Sequence, residues 1–516
     1  MLSIINSNNL IGIDSFLVKV ETDITRGIPA FNVVGLPGTE VREARERVKS
    51  AIINSGYDFP NSRIVVNLSP ADIKKEGSFL DLPISIGILR KYLNRDDSYL
   101  DECVFVGELS LDGHLRKVKG ILSLVIGAKN EKFKRIFIPY DNYKESNFID
   151  GIEIIPIKTL QECIDYINGK ENINWNYKDL EVNDYVCNYN EDFKDVKGNY
   201  FAKRAAEISA AGNHNLIMVG SPGSGKTMIA KRIRTILPKL DREEMIEISK
   251  IYSIAGLINE EDGIIKERPF RSPHHSTTMQ SLVGGGFNSK PGEITLSHKG
   301  VLFLDEIAEF DRRILESLRQ PMEDKYVNVA RVRQNVKYPC NMLVIAAMNP
   351  CPCGMYLSKT ECHCQTNEII RYRNKLSGPL LDRFDIFVEM TQIPFEKLNE
   401  KSQEETSEEI RKRVEKAREI QRVRFKNEQI NNNNEMTTAM IDKYCELDKD
   451  TKKILDDIYN KHELSNRSYT KLIKVARTIA DLEGEANINK NHILESYSFR
   501  KAYYTYFRSR LEINYG

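Results

Sequence analysis

A chain of 516 residues is long enough for two to four domains, each burying its own core. A formal net charge of +1, with 29% charged residues, excludes a globally basic nucleic-acid binder, so any such surface has to be local. The start, Met1-Leu2-Ser3-Ile4-Ile5-Asn6, lacks the basic and then apolar pattern of a secretory signal, and no window approaches the ~18 apolar residues of a membrane span.

Up to about residue 168, strand-like and helix-like stretches alternate. Residues 16–21 and 63–68 predict strands, and 41–54 predicts a helix with mixed charges on its outer face. Further strands are expected at 103–107 and 134–138, a turn at Asp112-Gly113 and a helix over 121–128. An α+β domain over 1–168 follows. Residues 169–190 are polar, show no clear period, hold the sole tryptophan, Trp175, and read as a linker.

An apolar run, Leu216-Ile217-Met218-Val219, then leads into Gly220-Ser221-Pro222-Gly223-Ser224-Gly225-Lys226-Thr227. This is the G-x-x-x-x-G-K-[ST] pattern, in which backbone N–H groups and a helix N-terminus converge on phosphate oxygens. Lys226 is expected to reach the β- and γ-phosphates of a nucleoside triphosphate, and the Thr227 hydroxyl to ligate Mg²⁺. Two later apolar runs also end in polar residues: 300–304 presents Asp305 and Glu306, and 342–348 presents Asn349. In a P-loop enzyme such an Asp holds Mg²⁺, the Glu activates the attacking water, and the Asn helps position it. Buried parallel strands with polar carboxyl ends predict an α/β core, here over 191–394. Beyond the third run, 376–385 sets Arg383 at a rigid turn. It is either paired with Asp382 or Asp385, or it is a finger acting on the nucleotide of the next subunit in a head-to-tail ring.

Residues 280–299 are Gly-rich and predict a projecting loop, while 327–337 alternates and predicts a hairpin tipped by Arg331 and Arg333, with Lys337 on its return strand. These cations either face solvent or grip nucleic-acid phosphates without sequence preference. Nine cysteines suit a reducing cytoplasm better than a disulfide scaffold. Four of them, Cys351, Cys353, Cys362 and Cys364, form two C-x-C pairs. That spacing admits a tetrahedral Zn²⁺ site and equally a turn of reduced thiols, with Cys340 and His363 as spare ligands. His274 and His275 read either as nucleic-acid contacts or as structural residues after Pro273.

The remainder, 395–516, reads as helical. Residues 404–424 have the composition of a solvated helix, 431–434 is a polar break, and a helix beginning near Ser465 runs on through Lys474, Arg477 and Leu482. Residues 498–510 interleave aromatics with basic residues and read as core with exposed charges.

Two resemblances rest on these motifs. Glu76-Gly77-Ser78, Asp81-Leu82-Pro83-Ile84 and Gly107-Glu108-Leu109-Ser110-Leu111-Asp112-Gly113 resemble the Lon-protease-type fold. That family's catalytic serine position falls on Phe79 and its lysine position on Leu122, with Ser78 and Lys119 displaced. The resemblance therefore implies a non-catalytic platform for binding or assembly. The P-loop, 300–306, Ala347-Met348-Asn349-Pro350-Cys351-Pro352-Cys353-Gly354 and 378–385 are similar to the magnesium-chelatase-like AAA+ ATPases. Arg268-Pro269-Phe270-Arg271-Ser272-Pro273-His274-His275 and Leu282-Val283-Gly284-Gly285-Gly286 sharpen that likeness. With the Lon-like first domain, they point to the YifB/ComM family over nearly the whole chain.

The resemblance implies an α/β multidomain protein with a P-loop core and a C-terminal helical lid, assembled into hexameric rings with ATP and Mg²⁺ as cofactors. It assigns phosphates and Mg²⁺ to Lys226 and Thr227, the Walker B pair to Asp305 and Glu306, sensor 1 to Asn349 and the finger to Arg383. On the lid it makes Arg467, ahead of Arg477, a sensor of the γ-phosphate. Hairpins of this branch enter the ring channel, which would put Arg331, Arg333 and Lys337 on DNA, and the ComM members imply branch migration in recombination or natural transformation. Three other classes compete. A protease would need a nucleophile and base where Phe79 and Leu122 stand. A magnesium-chelatase-type motor needs partner subunits and no Lon-like domain. A remodeller of protein partners would want an aromatic pore loop instead of an arginine-tipped hairpin.

Overall fold

The computed structural model describes residues 1–170, 189–259, 261–286, 290–330, 335–356, 358, 360–392 and 404–508. Trp175, Arg331 and Arg333 lie outside the described residues. The chain divides into two compact units, Met1–Tyr185 with Asp241–Lys266, and Val186–Leu240 with Glu267–Gly516.

The first unit is built on a seven-stranded mixed sheet. Its strands are β1 (Leu2–Ile11), β2 (Asp14–Thr25), β3 (Ala30–Val34), β4 (Arg63–Ser69), β5 (Cys103–Phe105), β6 (Arg135–Pro139) and β7 (Glu153–Ile157). They lie in the order β3-β4-β2-β1-β5-β6-β7, antiparallel only where β2 pairs with β1 and with β4. β1 was not evident in the sequence, because Ser7, Asn8 and Asn9 are polar yet buried. The Ser7 hydroxyl donates to the Phe105 carbonyl and the Asn8 amide to that of Leu124, both at 2.8 Å, which offsets part of the loss of water, while the Asn9 side-chain amide finds no partner among the described residues.

Helices α1 (Thr39–Asn54), α2 (Asp81–Ile88) and α3 (Ile121–Asn130) accompany the sheet. α1 buries Val41, Ala44, Val48, Ala51 and Ile52, the three-and-four spacing of an amphipathic helix. Phe79 and Leu122 are core residues of this unit, and the Ser78 hydroxyl is hydrogen-bonded to the Glu108 carboxylate. Arg47 grips Asp81 through two bonds of 2.8 and 3.1 Å. Burial nevertheless pushes the Asp81 carboxyl up to about 6 against that pull.

Sequence order puts Asp241–Lys266 inside the 191–394 stretch, yet it belongs to the first unit. Its helix, Arg242–Ala255, accepts the Gly120 N–H at the Ser253 carbonyl (3.2 Å) and pairs Arg242 with Asp150. Ile246 and Ile258 pack on the first core. Apolar burial therefore decides membership here, not chain order.

The second unit holds a five-stranded, all-parallel sheet. Its strands are β8 (Leu216–Gly220), β9 (Phe270–Arg271), β10 (Val301–Leu304), β13 (Leu343–Met348) and β14 (Ile386–Met390), in the order β9-β10-β13-β8-β14. A separate antiparallel hairpin joins β11 (Tyr326–Ala330) to β12 (Asn335–Pro339). Every residue of β8, β10 and β13 is buried, which is why these strands read as continuous apolar runs.

Helices of this unit include α4 (Tyr200–Gly212), α5 (Lys226–Ile236), α6 (Thr366–Arg373), α7 (Ser407–Arg424), α8 (Lys449–His462), α9 (Asn466–Glu483) and α10 (Lys490–Ser498). α7 starts at a capping box between Thr406 and Glu409. Its composition predicted a solvated helix, but Ile410, Val414, Ala417 and Gln421 form a buried stripe, and Arg418 and Gln421 donate to the Ala210 and Ala211 carbonyls of α4. α9 serves two cores. Val475 and Ile479 pack with the sheet residues, while Leu472, Ile473 and Ala476 join a helical cluster with Phe425, Leu455 and Ile493. Near the end, Phe499, Tyr506 and Phe507 are buried and Arg500 lies over the Phe387 and Tyr503 rings, in keeping with the core reading.

Arg477 is 1% exposed and holds Asp481 at 3.0 Å together with the Ala486 and Glu485 carbonyls. Replacing Arg477 by Ala is expected to destabilise the protein by about 3 kcal/mol through unmatched buried acceptors, while the folded variant keeps its nucleotide affinity. Thermal melting followed by circular dichroism, with a nucleotide titration below the melt, checks both.

Candidate active site

Strands β10, β13 and β8 lie side by side, so their carboxyl ends deliver three motifs to one edge of the sheet. The register pairs Leu304 with Ala346 and Val219 with Met348, which brings Asp305, Asn349 and Gly220 to that edge together. A Cβ on Gly220 would lie 2.3 Å from the Met390 carbonyl of β14, so glycine alone allows the chain to leave the sheet there.

Lys226 opens α5, and its ammonium donates to the Gly220 and Ser221 carbonyls at 2.6 and 2.9 Å and to Asn349 Oδ1 at 3.2 Å. Burial lowers its pKa to about 8, with the Asp305 and Glu306 charges opposing. Next to it, the Thr227 hydroxyl donates to Asp305 Oδ2 at 2.9 Å. A hydroxyl and a carboxylate joined in this way are oxygen donors suited to a hard divalent cation such as Mg²⁺.

Glu306 adopts a left-handed backbone conformation at φ +49°, which costs on the order of 1 kcal/mol for a residue with a Cβ. The His275 Nδ1 lies 3.8 Å from its Oε2, and His275 stacks on His274 with ring centroids 4.0 Å apart. Sequence reasoning missed this meeting, since no spacing rule connects position 275 with 306. It also missed two braces of the phosphate loop: Asn199 Nδ2 donates to the Ser224 carbonyl (3.1 Å) and Gln392 Nε2 to that of Pro222 (3.2 Å).

Arg383 pairs with neither of its expected neighbours. Its guanidinium bonds to Glu323 and to the Pro379 carbonyl, while Asp385 turns inward to Lys471 at 3.0 Å and His214 at 3.4 Å. Burial opposes ionisation of Asp385, but Lys471 and His214 outweigh it and hold the carboxyl well below the usual carboxylate range. The turn itself is anchored, because Lys471 donates to the Phe384 carbonyl and Asn215 Nδ2 to that of Arg383, each at 2.9 Å. Arg467 is exposed in the first turn of α9, away from the buried network of Arg477. Lys337 is exposed on β12, with its ammonium 3.7 Å over the Tyr326 ring.

The two C-x-C pairs converge. All four sulfurs lie within 4.8 Å of one another, with Cys351 to Cys353 at 3.4 Å, Cys351 to Cys362 at 3.7 Å and Cys353 to Cys362 at 3.6 Å. Cys340, a spare candidate, instead donates to the Pro321 carbonyl.

Three family models match the chain: "Magnesium chelatase, subunit ChlI" over residues 192–398, "Subunit ChlI of Mg-chelatase" over 20–142, and its C-terminal counterpart over 404–500. The chain is 40% identical to the competence protein ComM of Haemophilus influenzae over 507 residues, 97% of each protein. It is likewise 40% identical to the YifB protein of Escherichia coli over 501 residues, again 97% of each. A more distant match, 23% identical over 190 residues, covers 37% of this chain and 18% of the DNA replication licensing factor mcm6 of Dictyostelium discoideum. The chain belongs to the YifB/ComM family of magnesium-chelatase-like proteins.

As a member of this family it is an AAA+ ATPase, and the donor set at its sheet edge fits ATP with Mg²⁺. Among the described residues, no helix is long and apolar enough to cross a membrane. The lowered Lys226 pKa gives a measurable signature. A phosphate beside the ammonium favours its charged form, so the pKa rises on binding and the complex keeps a proton that the free site loses near pH 8. ATP binding at pH 8 is expected to take up roughly half a proton, with affinity falling as pH rises further. Calorimetry in buffers of different ionisation enthalpy measures the uptake, and Lys226→Ala removes it.

Proposed function

We propose that this protein is a Mg²⁺-dependent, ATP-hydrolysing ring motor that acts on DNA, with branch migration in recombination or natural transformation as its task. The observation that carries the ATPase part is the meeting of Lys226, Thr227, Asp305 and Asn349 within hydrogen-bond reach at adjacent strand ends. DNA as the track is supported by relatives named as a competence protein and as a DNA replication licensing factor, and by the paired strands β11 and β12, which carry the exposed Lys337; Arg331 and Arg333 lie outside the described residues.

In this reading Lys226 binds the β- and γ-phosphates, and Thr227 and Asp305 hold Mg²⁺, which neutralises charge on the transferring phosphoryl group. Glu306, oriented by His275, takes a proton from the attacking water as its oxygen bonds to the γ-phosphorus and the bond to the β–γ bridging oxygen breaks. Asn349 holds both Lys226 and the water. Arg383 leaves Glu323 to reach the nucleotide of a neighbouring subunit, which makes the site shared and requires a closed ring, here a hexamer. Arg467 on the C-terminal helical lid senses the γ-phosphate. Arg331, Arg333 and Lys337 grip the DNA backbone in the channel. The first unit serves as a non-catalytic, Lon-like platform, the setting is the cytoplasm, and Zn²⁺ at the four-thiol cluster completes the cofactor set.

Glu306→Gln is expected to bind ATP normally and to lose about 10²-fold or more in turnover, and Arg383→Ala to lose about 10³-fold. Mixing the two variants should restore part of the activity, because each supplies what the other lacks at a shared site. Forked or four-way DNA is expected to raise the ATPase rate and to be branch-migrated, while Arg331→Ala with Arg333→Ala keeps basal hydrolysis and loses that coupling. A rate raised by protein partners and unaffected by branched DNA would favour instead a remodeller or a chelatase-type motor subunit.

A further inference from the structure

The four thiols lie in the turn that follows Asn349, and their geometry goes beyond crowding. Zinc–sulfur bonds of about 2.3 Å at tetrahedral angles separate sulfurs by about 3.8 Å. The cluster shows separations of 3.4, 3.6 and 3.7 Å, with all four sulfurs within 4.8 Å. A disulfide would need about 2.05 Å and would pair the sulfurs in twos. Backbone donors also point at the sulfurs, as thiolates require: the Cys353 N–H at Cys364 Sγ (3.4 Å) and the Tyr356 N–H at Cys351 Sγ (3.3 Å).

A tetrathiolate around a divalent ion carries two negative charges and calls for a counter-charge when partly buried. Arg373 supplies one. It is 6% exposed, donates Nε to the Pro350 carbonyl at 3.1 Å and lies over the Tyr356 ring, and its Nη2 has no hydrogen-bond partner among the described residues.

The cluster also touches the nucleotide site. Gly354, at φ +79°, sits so close to the phosphate loop that a Cβ there would lie 2.6 Å from Pro222 Cδ and 3.8 Å from Asn349 Cγ. The turn carrying the thiols is thus pressed between the loop that cradles phosphate and the side chain that bonds Lys226.

We infer that one Zn²⁺ held by Cys351, Cys353, Cys362 and Cys364 clamps the Asn349 turn against the phosphate loop, so that metal occupancy governs ATP hydrolysis. The governing role rests on the ATPase reading above; the metal site stands on its own geometry. Soft thiolates in a tetrahedron select zinc over magnesium, so the Mg²⁺ partner of ATP does not compete for this site. Without the metal the turn keeps Arg373 on the Pro350 carbonyl and the local bond from the Gly354 N–H to the Cys351 carbonyl, but loses the link between its two C-x-C pairs, which loosens the distance from Asn349 to Lys226.

Purified full-length protein is expected to contain about one zinc per chain, released as a mercurial titrates four thiols together. Removing the zinc and restoring Mg²⁺ should lower ATP turnover about 10- to 100-fold while a fluorescent ATP analogue still binds, and added Zn²⁺ should restore turnover. Cys353→Ser and Cys364→Ser should show the same split between binding and turnover, and reconstitution of the unaltered chain covers the case in which either variant fails to fold. Zinc well below one per chain, or iron with visible absorption in its place, overturns the site. Full zinc whose removal leaves turnover unchanged overturns the control. Full zinc in a protein that never hydrolyses ATP overturns the ATPase reading and leaves the site intact.

Discussion

Taking the Lys226 ammonium out of water at the mouth of a parallel sheet is the constraint on which the catalytic unit depends. A desolvated cation requires acceptors, and it finds the Gly220 and Ser221 carbonyls and the Asn349 amide. Those groups converge only because β8 and β13 are neighbours in register, with β10 beside them carrying Asp305. A polyanion is a far better acceptor than two carbonyls and an amide. The desolvation that lowers the lysine pKa thus favours a polyanion beside the ammonium.

The same logic extends to the turn that carries Arg383. Lys471 and His214 hold Asp385 beneath the sheet, and Lys471 also binds the chain at Phe384. Lys471 belongs to α9, which packs on the sheet core with one set of residues and on the helical cluster with another. A displacement of the C-terminal helices therefore pulls on the Arg383 turn through a buried, charge-assisted contact instead of through solvent. The acidic partner of Arg383, Glu323, stands outside that buried set and is half exposed. The Arg383 side chain is itself largely buried, so this pair lies between a surface pair and the fully buried pairs beneath.

The first unit follows a different economy of polar groups. A central strand carries buried serines and asparagines, of which Ser7 and Asn8 bond to the carbonyls of β5 and α3, and the buried carboxylate Asp81 is held by Arg47. Phe79 and Leu122, the positions at which the Lon-type resemblance looks for a serine and a lysine, are both packed in the core. The unit is completed by Asp241–Lys266, so the chain enters it twice and the catalytic unit is interrupted in sequence but not in space.

By itself the sequence determined the elements whose signal is local. The apolar runs before Gly220, Asp305 and Asn349 announced three buried strands, the loop pattern announced a phosphate cradle, and the helices over 41–54 and 121–128 were marked by period. The thiol spacing likewise allowed the cluster that forms. Only the tertiary structure decided what depends on distant residues meeting. It put His275 beside Glu306, gave Arg383 the partner Glu323, buried Arg477 against Asp481 and hid a polar strand inside a sheet. It also assigned Asp241–Lys266 to the first unit and buried a stripe of the charged helix α7. The physical reason is common to all of these: backbone pattern and period are written within a few residues, whereas desolvation and charge pairing depend on which surfaces the folded chain brings together.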